Sequence, residues 1–166
     1  LKKGYTEEWV HQRLLAIRIR NELTDEWQKR GVEKGKEYAI LTDEITRAWA
    51  GMSTGQYKRL KGLKKENLRD NMSDLELVLT MLAEASTADI SKVEKPQGFS
   101  ESQKVARRGG KVAGVARQAL EAETGKPVIT AQNAESFRQL VTDIVEDAAA
   151  LPENTEADKS DGKKED

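Results

Sequence analysis

An all-α fold is what the sequence predicts, an irregular bundle of about five to six helices followed by a disordered acidic tail. Three observations predict it. Apolar residues recur at three- and four-residue steps through most of the chain, no stretch of convincing length alternates as a strand does, and helix start and stop signals separate the periodic segments. The composition agrees: charged residues make up 34%, apolar ones 37% and aromatics 5%, which suits a helical protein with a modest core. A chain of 166 residues holds one ordinary domain and is too short for two large ones, so residues 1–151 are expected to form the domain and 152–166 the tail. The chain opens on Leu rather than Met, which reads as a piece of a longer protein.

The first helix spans Thr6 to Arg30, where Trp9, Val10, Leu14, Ile17, Leu23 and Trp27 mark one side and Gly31 is available as a stop. Trp9 and Trp27 lie eighteen residues apart, five turns at about 3.6 residues per turn, so they share a face suited to an interhelical seam. Tyr38, Leu41, Ile45 and Trp49 define a second helix that ends before Gly51. Ser53 or Thr54 then caps a short helix through Leu60, and Gly62 turns the chain. Ser73 followed three residues later by Glu76 has the capping-box spacing and opens a helix to about Lys92, along which Leu75, Val78, Leu79, Met81, Leu82, Ala85 and Ile90 recur.

Pro96-Gln97-Gly98 ends that helix, and Ser100 with Gln103 repeats the capping spacing for the next, which runs through Ala122 and closes at Thr124-Gly125 with Pro127 just beyond. Gly109, Gly110 and Gly114 inside it each cost about 1 kcal/mol of helix propensity relative to Ala. Close approach of a neighbouring helix, or a break in the backbone, has to offset that. Phe137, Leu140, Val141, Ile144, Val145 and Ala148 define a last helix, capped by Asn133 or Thr130 and ending near Leu151-Pro152. Residues 153–166 contain no large apolar residue and cannot offset the entropy of ordering, so disorder is expected there.

The formal net charge of -1 conceals segregation. Gln56 to Arg69 carries Lys58, Arg59, Lys61, Lys64, Lys65 and Arg69 against Glu66, a charge of +5. Ser102 to Gln118 carries Lys104, Arg107, Arg108, Lys111 and Arg117 with no acid, also +5, whereas Glu146 to the end sums to -5. Two basic patches and an acidic tail fit a protein that meets a polyanion or imitates one. Lys104, Arg107, Arg108 and Lys111 fall on one helical face and suit a row of phosphates. The plain alternative is that both patches are solvated faces or partners for acids elsewhere in the fold.

Residues that would carry catalysis or hold a cofactor are missing. The absence of cysteine excludes disulfides, thiolate metal sites and cysteine nucleophiles, and one histidine, His11, makes zinc or Ser-His-Asp chemistry hard to assemble. "GGK" at Gly109 to Lys111 and "TGKP" at Thr124 to Pro127 lack the phosphate-loop frame. Asp43 and Glu44 are neighbours that point in different directions around a helix, and Asp70 and Asp74 read as turn and capping residues. No enzyme and no cofactor are expected. The chain has no apolar run near the ~20 residues of a membrane span and no signal-peptide pattern, so a cytoplasmic protein with no membrane partner is expected.

Three blocks, "RNELTDEWQKRG" (Arg20 to Gly31), "KGLKKENLRDNMSDLEL" (Lys61 to Leu77) and "KVARRGGKVAGVARQALEAETGKP" (Lys104 to Pro127), occur in an order that resembles the C-terminal region of DNA-damage-inducible protein D and of prophage antirepressors with a BRO-type N-terminal domain. The resemblance covers Tyr5 to Pro127, and the Thr-Gly-Lys-Pro turn, where the damage-inducible protein has a Gly-Gly turn, places the chain in a sister branch. It implies a non-enzymatic regulator of the SOS response or of prophage control that meets single-stranded DNA or a recombinase filament. The BRO-type domain, associated with DNA binding, would precede Leu1. A different expectation is a protein-interaction module that forms a homodimer or docks a repressor through an apolar face such as Leu75, Leu79 and Leu82. Salt separates the two, because only phosphate contacts release counterions.

Overall fold

The computed structural model describes residues 6–150, apart from the side chain of Phe137. The expected disordered tail, 152–166, and the expected helix end at Leu151-Pro152 lie outside the described residues. Every regular element among the described residues is helical: α1 (Glu7–Lys29), α2 (Lys36–Ala50), α3 (Thr54–Leu60), a single 3-10 turn (Arg69–Asn71), α4 (Asp74–Glu94), α5 (Gly98–Thr124) and α6 (Ala134–Ala150). The chain divides into two compact units, Leu1–Ala134 and Glu135–Asp166.

Local chemistry sets the starts. Thr6 caps α1 by accepting a hydrogen bond from the Trp9 N–H at 3.2 Å. Ser53, rather than Thr54, caps α3, and it does so in a full capping box with Gln56. Ser73 and Glu76 form the predicted box at the start of α4, the Glu76 N–H donating to Ser73 Oγ at 3.2 Å and the Ser73 N–H to Glu76 Oε1 at 3.4 Å. The expected cap at Ser100 is not used: α5 already begins at Gly98, because the Glu101 carboxylate reaches back to accept the Gln97 N–H at 2.6 Å and leaves Ser100 inside the first turn. Left-handed glycines, Gly51 and Gly125, end α2 and α5 as their positions in the sequence suggest.

In the first unit, α4 and α5 form the centre and run antiparallel, with Glu94 of the end of α4 paired to Arg108 and Thr87 set against Gly109. α1 runs parallel to α4, since Arg20 meets Glu84 and Glu26 meets Ser91, while α2 runs parallel to α5, with Glu44 at Arg107 and Trp49 at Arg117. Leu23, Trp27, Leu41, Ile45, Trp49, Tyr57, Ala83, Ala106 and Ala113 pack the centre. Trp27 tilts against Tyr38 at 5.3 Å and Trp49 against Tyr57 at 5.9 Å between ring centroids, so four aromatics tie α1, α2 and α3 together. Trp9, on the same face of α1 as Trp27, is half-buried.

The α5 glycines mark close helix approach, one of the two alternatives the sequence left open. A Cβ on Gly109 would lie 2.6 Å from the Thr87 backbone, one on Gly110 would lie 2.7 Å from the Ile45 carbonyl oxygen, and one on Gly114 would lie 2.6 Å from that of Ala48. α5 is thus wedged between the backbones of α4 and α2, and the packing gained offsets the lost helix propensity.

Candidate functional site

Each of the ten cations expected to meet phosphates has a defined place, and the places divide into three kinds. Lys61 is enclosed: its side chain is 0% exposed, and its ammonium donates to Glu76 Oε1 at 3.0 Å and to the carbonyls of Thr130 at 2.9 Å and Gln132 at 2.6 Å. All three of its protons are engaged, so Lys61 is corrected from a phosphate contact to a clamp. The Tyr57 hydroxyl donates to the other Glu76 oxygen, and burial first, then that bond, push the phenol far above its usual range. The clamp fastens the segment before α6: Asn133 Nδ2 donates to the Lys61 carbonyl at 2.8 Å, and the Ala134 N–H donates to Asn71 Oδ1 at 2.9 Å.

Arg69 needs the same correction. Its guanidinium pairs with Glu84, whose side chain is 2% exposed, and Arg20 closes on the same carboxylate at 3.4 Å while donating to Thr42 Oγ1 at 2.7 Å. A third enclosed carboxylate, Glu26, accepts from Arg30 at 2.7 Å and from Ser91 Oγ at 2.9 Å. Burial pushes the Glu26 carboxyl up, but the bonds from Arg30 and Ser91 outweigh it and hold the group below the ordinary range. These networks arise because α4 turns Glu76, Thr80, Glu84, Thr87 and Ser91 inward at steps of four, four, three and four residues. The sequence carried that stripe in plain view, but it was masked by the leucines interleaved with it.

Arg107 and Arg108 are of a second kind, exposed but paired. Arg107 meets Glu44 at 3.0 Å and Arg108 meets Glu94 at 2.6 Å, and each bond, as the leading cause, holds its carboxyl below the usual range. Exposed pairs of this sort contribute little and exchange readily. The third kind comprises Arg59, Lys64, Lys65, Lys104 and Lys111, which are exposed, and Lys58, which is half-buried; none of them forms an ion pair among the described residues. Glu66, the acid inside the first patch, turns its carboxylate to the backbone N–H groups of Lys64 at 2.6 Å and Lys65 at 3.1 Å, leaving both ammonium groups in water.

Two concavities lie beside these cations. Lys58 borders a small one of about 180 Å³ of mixed character, lined by Thr42, Thr46, Thr54, Asn67 and Arg69 together with Trp49, Leu68 and Met72. A wider cleft of about 480 Å³ between α2 and α5 is lined by Glu44, Arg47, Ala48, Arg107, Lys111 and Val115, among others. The described residues contain no group of three or more His, Asp or Glu able to hold a metal ion, and none of their helices is long and apolar enough to cross a membrane. His11 is exposed on α1.

The apolar face expected for a protein partner is rearranged. Leu79 is 6% exposed and belongs to the core, whereas Leu75 at 51%, Val78 at 46% and Leu82 at 37% form the outer stripe of α4. No protein-family model, no curated protein and no solved structure matches this chain.

Proposed function

We propose that this chain is a non-enzymatic regulatory protein that binds a nucleic-acid polyanion, DNA or a recombinase–DNA filament, in a DNA-damage response or in prophage control. One observation carries the reading: the enclosed cations are matched to carboxylates, while Lys58, Arg59, Lys64, Lys65, Lys104 and Lys111 stand at the surface in no ion pair among the described residues. Unpaired cations gathered in two acid-poor segments produce the local positive field that draws a phosphate chain. Arg107 and Arg108 join them by exchanging exposed carboxylates for phosphates. The resemblance to the damage-inducible and antirepressor family supports the same reading.

Titrating labelled single- and double-stranded DNA with the protein, read by fluorescence anisotropy at low and moderate salt, tests it. Binding that collapses as salt rises supports the proposal, and no binding at low salt rejects it. The outer stripe of Leu75, Val78 and Leu82 favours one second reading, a module that docks a repressor protein, whose affinity would change little with salt.

A further inference from the structure

The α2–α5 cleft and α6 have complementary surfaces. The cleft floor is apolar, with Ala48 and a Val115 that is 56% exposed, and its rim carries Arg47, Arg107 and Lys111 against Glu44. This is a surplus of positive charge in which Arg47 is paired with Asp43, Arg107 with Glu44, and Lys111 with no carboxylate among the described residues. Helix α6 presents Leu140, Val141, Ile144 and Val145, which are between 47% and 60% exposed, on one side. Its described residues carry Glu135, Asp143, Glu146 and Asp147 against Arg138, a formal charge of -3. Asp143 and Asp147 are four residues apart and flank Ile144, so they rise one turn, about 6 Å, along the edge of the apolar stripe. Arg107 and Lys111 have the same four-residue spacing on α5, along the rim of the cleft.

We propose that the cleft seats α6 of a second copy of this chain, so that two copies exchange helices in a symmetric dimer. Charge and apolar surface match in both directions, and one helix and one cleft per chain close under two-fold symmetry with neither surface left over. The segment before α6 has no slack: Val128 is buried, Lys61 grips the carbonyls of Thr130 and Gln132, and the Ala134 N–H, at the first residue of α6, is held by Asn71. Arg107 exchanges its exposed bond to Glu44 for one to the incoming acids, and Lys111, which forms no ion pair among the described residues, gains a partner. Arg107 and Lys111 belong to the second basic patch, so in the dimer they pair with α6 rather than with phosphates. The first patch, with Lys58, Arg59, Lys64 and Lys65, lies outside the cleft, and reversals there test the nucleic-acid contact without touching the dimer.

The test is a charge swap on the full chain, followed by multi-angle light scattering and sedimentation, with circular dichroism confirming that each variant is folded. Wild type is expected at twice the chain mass and should dissociate as salt rises. Arg107→Glu with Lys111→Glu reverses the cleft, and Asp143→Lys with Asp147→Lys reverses the helix; each double variant alone should be monomeric, and an equimolar mixture of the two should recover the dimer. Ile144→Ser, on an exposed side chain, is a further variant that should dissociate the dimer without disturbing the core. A monomeric wild type, a dimer indifferent to the reversals, or a mixture that stays monomeric would overturn the proposal.

Discussion

Replacing Lys61 with Met should destabilise the protein far more than the same change at Lys64, three residues away in sequence but in water. Lys61 is enclosed with Glu76 and also satisfies the carbonyls of Thr130 and Gln132, whereas the Lys64 side chain stands in water. Removing one partner of an enclosed ion pair leaves an uncompensated charge and costs about 3–5 kcal/mol. At a urea slope of roughly 2 kcal/mol per molar, the unfolding midpoint should fall by about 2 M. Restoring neutrality with Lys61→Met and Glu76→Gln together should cost much less than the two single changes combined, because no buried charge is left unpaired and the amide oxygen can still accept from the Ser73 N–H while its NH2 donates to the Tyr57 hydroxyl oxygen. Urea denaturation followed by helical circular dichroism across this double-mutant cycle measures the coupling. A shift at Lys61 no larger than at Lys64, or costs that simply add, would refute the clamp.

Other outcomes follow from the same geometry. Gly110→Ala should lower the melting temperature despite a gain of about 1 kcal/mol in helix propensity, because its Cβ would meet the Ile45 carbonyl oxygen at 2.7 Å; Gly55→Ala, where the nearest atom is 3.6 Å away, should be neutral or stabilising, and calorimetry separates the two. Ser73→Ala should cost about 1 kcal/mol in denaturant titrations through loss of the α4 capping box. Glu26 titrates below the ordinary range in the folded chain, so its contribution is complete above the unfolded value of about 4.3 and is lost as pH falls through the lower folded value. Melting temperature against pH should therefore fall on acidification below about pH 4, and Glu26→Gln should flatten that fall.

The helices were legible because their signals are local. Trp27, Leu41, Ile45 and Trp49 recur at helical steps and do form the core, the capping box expected at Ser73 forms, and Ser53, one of two caps the sequence allowed, forms another. Depth was less legible, since a period gives direction around a helix but not what lies opposite. Leu14 and Ile17 share the α1 pattern yet are 57% and 44% exposed, while α4 turns two glutamates and two threonines inward. Lys61 and Arg69 were indistinguishable from Lys64 and Lys65 in the sequence because their partners, Glu76 and Glu84, come from the next helix. One clue was available: a capping-box glutamate has a carboxylate free to face inward once Ser73 is satisfied. The α5 glycines could be flagged as an anomaly, but the Ile45 and Ala48 carbonyls that explain them lie about sixty residues away in the chain.

The most direct measurement is the dependence of DNA affinity on salt for wild type, for Lys64→Glu with Lys65→Glu, and for Lys61→Met. If the six cations each neutralise a phosphate, the slope of log affinity against log salt should be about -4 for single-stranded DNA and about -5.4 for duplex. Reversing Lys64 and Lys65 should make that slope shallower by about 1.5 or more, and Lys61→Met should leave it unchanged under conditions where the variant is folded. A slope near zero, or one that responds to Lys61 and not to Lys64 and Lys65, would contradict the proposed interface.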